Sequence, residues 1–155
     1  MQEFREYVKS LKRKIKGNKD ETLFVCIGND KIIWDSIGPL VGTYLKERIG
    51  EKKVLGDISH NICDRKDLIY YYPRMKNKFI VAIDSAISNE GLNENGEIFV
   101  GNDPIILGLG MNKNKGIIGD ISIKAGISNI NKIGKQEVKL ISETIGRGIC
   151  YWYKN

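Results

Sequence analysis

Thr22-Leu23-Phe24-Val25-Cys26-Ile27-Gly28-Asn29-Asp30 is the stretch on which the reading of the fold turns. From Thr22 to Ile27 no charged residue occurs, and polar and apolar positions do not alternate. A strand with one wet face alternates, whereas a strand buried on both faces reads as a continuous apolar run. The stretch is therefore expected to be a central strand covered by helices on both sides. Gly28 marks a tight turn out of it.

Working outward, the next segments alternate in type. Leu40, Val41, Tyr44 and Leu45 recur at helical spacing within Ile37 to Ile49, and Gly50 follows as a C-cap. Lys53 to Ile58 is a short strand. Asp64 is placed to N-cap a short helix through Tyr71, closed by Pro73. Lys78 to Ile83 is a second strand, apolar from Phe79 onward. Asn95-Gly96 signals a turn before the strand Glu97 to Val100. Gly116 to Lys124 reads as a strand with a glycine-marked bend, and Gly134 to Tyr153 as a long helix with Val138, Ile141, Ile145, Ile149 and Trp152 on one face. On the N-terminal side, Phe4, Val8, Leu11 and Ile15 predict an amphipathic helix over 2–16, stopped by Gly17-Asn18. Alternation of this kind predicts an α/β fold with a mainly parallel central sheet. With no repeat or linker, the chain is expected to be one domain over 1–155: a basic N-terminal helix, 1–17, and an αβα core, 20–155.

Composition bounds the function. The 155 residues are 41% hydrophobic, which excludes global disorder. No apolar run approaches the length of a bilayer span, and the opening Met1-Gln2-Glu3-Phe4-Arg5-Glu6 has no apolar signal region. Cys26, Cys63 and Cys150 are too scattered for a disulfide framework, so a reduced, cytoplasmic protein is expected. The net charge of +6 owes much to Lys9, Lys12, Arg13, Lys14 and Lys16 on the first helix. No nucleic-acid-binding motif accompanies them, so a solvated face is expected rather than a nucleic-acid site.

In open α/β sheets, reactive groups gather beyond the carboxyl ends of the strands. Asp35 lies in the loop after the first buried strand, and Asp84 is where the second apolar strand is expected to end. If the sheet runs 2-1-3, the two aspartates face one another. Two close carboxyls share a proton, and such a pair can activate water against a carbonyl. It can equally hold a divalent metal. The plainer reading makes Asp35 a helix N-cap and Asp84 an Asx-turn residue. His60 and Cys63 are three apart but show no cysteine-peptidase signature, and no second ligand pair supports zinc. Gly28-Asn29-Asp30 lacks the continuation of a nucleotide-binding loop. The glycine-rich loop Gly101 to Gly116 is either a lid or an ordinary surface excursion.

Several segments together resemble a known family. Phe24-Val25-Cys26-Ile27-Gly28-Asn29-Asp30 followed by Asp35-Ser36-Ile37-Gly38-Pro39-Leu40-Val41-Gly42 is similar to the opening signature of the spore protease YyaC family. Ile80-Val81-Ala82-Ile83-Asp84-Ser85 and Gly119-Asp120-Ile121-Ser122-Ile123 resemble two later segments, and His60-Asn61 sits where the family has a short histidine-containing run. The loop Lys31-Ile32-Ile33-Trp34 departs from the family pattern. More distantly, the germination protease and the hydrogenase-maturation endopeptidases carry acids at the positions of Asp35 and Asp84. The resemblance implies a three-layer αβα, phosphorylase/hydrolase-like fold with a mixed central sheet. It also implies a sporulation-associated endopeptidase of the germination-protease type, with Asp35 and Asp84 as its catalytic pair. Ser36 and Ser85 are expected to orient them, with Asn29 and His60 on the substrate-binding rim. The implied substrate is a protein such as the small acid-soluble spore proteins, in the cytoplasm of the forespore or mother cell. No membrane partner is expected, and a homo-oligomer is left open. No cofactor is expected, because the hydrogenase-type metal histidine follows the second acid whereas His60 precedes Asp84. A metal at Asp35 and Asp84 stays open, as in a maturation endopeptidase. So does a catalytically silent spore protein or a basic partner-binding module.

Overall fold

The computed structural model describes residues 2–87, 95–107 and 116–155. Its centre is a five-stranded sheet in the order β2-β1-β3-β7-β4. The strands are β1 (Thr22–Cys26), β2 (Val54–Leu55), β3 (Phe79–Ile87), β4 (Ile98–Gly101) and β7 (Ile121–Ile127). β2, β1, β3 and β7 pair in parallel and β4 joins β7 antiparallel, so the sheet is mixed and mainly parallel. A separate two-stranded ribbon joins β5 (Ile105–Ile106) to β6 (Ile117–Ile118). Every residue of β1 is buried, as its unbroken apolar run requires.

The sheet separates two apolar layers. One contains Leu11 and Tyr7 of α1 (Gln2–Lys14), Val41 and Leu45 of α2 (Ile37–Ile49) and Ile145 and Ile149 of α4 (Lys135–Lys154). The other sets Leu23, Val25 and Ala82 against Met75 of α3 (Arg65–Met75) and Ile105 of the ribbon. The three-layer αβα expectation holds. No helix among the described residues is long and apolar enough to cross a membrane.

The departures from expectation have local causes. β2 has only two residues because Gly56, at φ +88, turns the chain beside the Cys26 carbonyl. Asp57 Oδ1 then accepts the N–H groups of Ser59 (2.8 Å) and His60 (2.7 Å), building a turn where the strand was expected to continue. α3 carries Pro73 within its last turn and runs on to Met75, with Lys76 N–H on Tyr72 C=O at 3.0 Å. The expected bent strand at 116–124 is two strands in different sheets. They are divided at Gly119 (φ +114) and at Asp120, whose Oδ2 accepts Ile80 N–H at 2.7 Å. Of the loop from Gly101 to Gly116, residues 108–115 lie outside the described residues.

Candidate functional site

β1 and β3 run side by side with Cys26 opposite Ile83. Their last rung is Ile27 N–H on Ile83 C=O, at 2.8 Å. There β1 leaves the sheet: Gly28 N–H turns to Ile62 C=O, 3.0 Å away. β3 does not stop. It continues to Ile87 because β7 keeps pairing with it as far as Ile127. Asp84 is thus not the end of its strand but the first β3 residue beyond β1. Its side chain shares the face of Ile80 and Ala82, which are buried on the α3 side.

Asp35 reaches the same place from a 3-10 turn, Ile33–Asp35. Asn29 N–H donates both to Asp35 C=O (3.0 Å) and to Asp35 Oδ2 (3.1 Å), closing the loop and aiming the carboxylate. A side chain at Gly28 would strike the Asp35 carbonyl, and its φ of +143 also favours glycine. The N-cap position of α2 belongs to Ser36, and no side chain caps that helix. The capping reading of Asp35 therefore fails. Asp84 makes no ordinary Asx-turn either: its Oδ1 accepts the very next N–H, that of Ser85, at 2.8 Å.

Burial pushes the Asp35 carboxyl up to about 6, against the opposing pull of the Asn29 N–H. Burial also pushes Asp84 well above the ordinary carboxyl range, and the negative charge of Asp35 pushes it further; Ser85 N–H and Lys124 pull the other way. Two carboxyls coupled in this sense resist double ionisation.

The remaining sequence candidates divide. Asn29 contributes its backbone N–H to Asp35, while its side-chain oxygen is tied to Lys31 N–H at 3.0 Å. The Ser36 hydroxyl donates to Ile33 C=O at 2.7 Å, inside the turn. Ser85 touches Asp84 through its backbone, and its buried hydroxyl meets no partner among the described residues. His60 is exposed after β2, with Nδ1 3.7 Å from Asp57 Oδ1, and no described hydrogen bond or ion pair joins it to either acid.

Two further residues stand at the site: Lys124, which was not anticipated, and Cys63, which was weighed only as a partner of His60. Lys124 pairs with Asp84 across β3 and β7 and faces the same side. A lone charge within Ile121-Ser122-Ile123-Lys124-Ala125 was its signal. Cys63 precedes α3, and its thiol donates to Gly28 C=O at 3.1 Å. Burial, then Asp35, Asp67, Asp64 and Asp84, push that thiol up to about 11, so it stays protonated and is not a nucleophile. Among the described residues, no group of three His, Cys, Asp or Glu side chains could hold a metal ion.

Residues 1–145 match the family model described as "Protein of unknown function (DUF1256)". The chain belongs to that family. It is 33% identical over 111 residues to the uncharacterized protein YyaC of Bacillus subtilis (strain 168), a match covering 69% of this chain and 53% of that protein. The chain thus spans about half the length of this curated relative. Among solved structures it resembles the [NiFe] hydrogenase maturation protease HycI from Thermococcus kodakarensis KOD1. That likeness has a TM-score of 0.64 at 17% identity and covers 94% of this chain and 99% of the other. At that identity it establishes a shared fold.

Proposed function

We propose that this DUF1256 member is an endopeptidase of the germination-protease type, with Asp35 and Asp84 as its catalytic pair. The observation that carries the proposal is the coupling of two half-buried carboxyls where β1 ends and β3 continues. The fold shared with a maturation protease supports the same reading.

We assign the two roles from the direction in which each carboxyl is shifted. Asp35, titrating near 6 and steadied by Asn29 N–H, is ionised at neutral pH and acts as the base. Asp84, raised well above the ordinary carboxyl range by burial and by the charge of Asp35, is assigned the role of the acid. Asp35 takes a proton from water as the water oxygen attacks the peptide carbonyl, while Asp84 gives its proton to the carbonyl oxygen. Collapse of the tetrahedral intermediate returns the oxygen's proton to Asp84, and the proton on Asp35 passes to the leaving amine. Both carboxyls end as they began. The proposed steps use the two carboxyls and water alone, and a divalent metal held by Asp35 and Asp84 is the competing reading.

The proposed substrate is a small acid-soluble spore protein, and the proposed setting is the cytoplasm of a sporulating cell. Purified small acid-soluble spore proteins are expected to be cut by the wild type and left intact by Asp35→Asn and Asp84→Asn. Cleavage at wild-type rate by either variant would remove that residue from the mechanism. Elemental analysis of the active protein separates this reading from a metal-dependent one: stoichiometric metal whose removal abolishes cleavage would favour the latter.

A further inference from the structure

Backbone groups of β3 point alternately to its two neighbours. Odd residues face β1: Phe79 N–H bonds Glu21 C=O and Ile27 N–H bonds Ile83 C=O, both at 2.8 Å. Even residues face β7, as in Asp120 N–H on Ile80 C=O at 2.8 Å. By the same alternation, Ser85 and Ile87 present their N–H and C=O groups on the side that β1 has vacated. Asp84 Oδ1 covers the Ser85 N–H at 2.8 Å. Among the described residues nothing meets Ser85 C=O or Ile87 N–H, although both belong to a strand fully paired with β7 on its other edge.

An open strand edge is a template for another extended chain. We propose that a segment of the polypeptide substrate docks here as an added strand, its C=O receiving Ile87 N–H and its N–H reaching Ser85 C=O. This deepens the peptidase reading and rests on it. The chemistry that fits the edge is a peptide main chain, because a donor and an acceptor at ladder spacing complement one residue of any extended sequence. The added strand would follow on from β1, whose Ile27 stands opposite Asp84, so the residue opposite Ala86 lies two residues, roughly 7 Å, beyond the level of Asp84. Recognition would then be by extended conformation rather than by a side-chain pocket, as suits an unstructured substrate.

Amide hydrogen exchange by NMR tests this in Asp35→Asn, which retains an acceptor for Asn29 N–H, with an intact small acid-soluble spore protein as probe. In the free protein, Ile87 N–H is expected to exchange about 100-fold faster than Ala86 N–H, which belongs to the β7 ladder. The probe is expected to slow Ile87 about 10-fold or more and leave Ala86 unchanged. Ile87→Pro, which removes only the open-side N–H, should fold and bind the probe more weakly. Slow exchange of Ile87 in the free protein overturns the proposal, whatever the activity. So does a bound probe that leaves Ile87 unprotected. Protection that grows with protein concentration alone would assign the edge to a second copy of the chain, overturning it as well. A probe neither bound by the variant nor cut by the wild type would instead sink the peptidase reading, and the docking with it.

Discussion

The sharpest consequence of the site concerns folding rather than catalysis. A carboxyl that titrates near 6 in the folded chain, against an ordinary 3.8, loses folding free energy when it is ionised. The difference of about two pH units corresponds to about 3 kcal/mol at 1.36 kcal/mol per unit. The sign follows from proton binding. Between about 3.8 and about 6 the folded chain holds a proton that the unfolded chain has released, so this contribution to stability is complete at low pH and lost as pH rises through that window. Asp35→Asn keeps an oxygen for Asn29 N–H and removes the charge. It also removes the repulsion acting on Asp84. The variant is expected to be more stable than the wild type by up to about 3 kcal/mol near pH 8, with the gap closing toward about pH 4. Urea unfolding at several pH values, with the m-value checked for constancy, measures this directly. A substitution that stabilises the fold while abolishing cleavage marks a group kept for chemistry. The reasoning is refuted if Asp35→Asn is less stable than the wild type near pH 8, or if the difference does not change with pH.

Further outcomes follow from the same geometry. Cleavage should rise with pH through about 6 as Asp35 ionises and fall at higher pH as Asp84 loses its proton, giving a bell-shaped profile in kcat/KM. Cys63→Ala should retain activity, and the wild-type thiol should react slowly with iodoacetamide at neutral pH, because it titrates near 11. Gly38→Ala should cost about 3 kcal/mol or more by thermal or urea unfolding, since its Cβ would collide with the Ile27 carbonyl where α2 crosses the end of β1. Deleting residues 2–16 should unfold the protein, because Tyr7, Leu11 and Ile15 are buried and Tyr7 donates to Ile145 C=O at 2.7 Å. Neutralising Lys9, Lys12, Arg13, Lys14 and Lys16 together should leave stability nearly unchanged and reduce any salt-sensitive retention on DNA.

The sequence by itself determined the layers. Uncharged, largely apolar runs at Thr22 to Ile27 and Phe79 to Ile83 read as strands shielded on both faces, and helical periodicity between them supplies the shields. Asp64 and Asp67 form the capping box that the sequence foreshadowed at Asp64, because capping is a local interaction within four residues. The two acids were also legible: Asp84 directly follows the second run, and Asp35 lies in the loop after the first, just before a helix. Tertiary structure decided what periodicity cannot carry. β3 extends past Asp84 because β7, some forty positions along the chain, continues to hold it, so the strand's length is a property of the pairing. Lys124 stands beside Asp84 through that same register, and Cys63 through the meeting of the Gly28 turn with the start of α3. His60 was drawn away by a short-range turn on Asp57. Hydrophobic pattern says which face of a segment is buried. Whether two carboxyls come close enough, and dry enough, to share a proton depends on where neighbouring strands stop, and only the packed sheet fixes that.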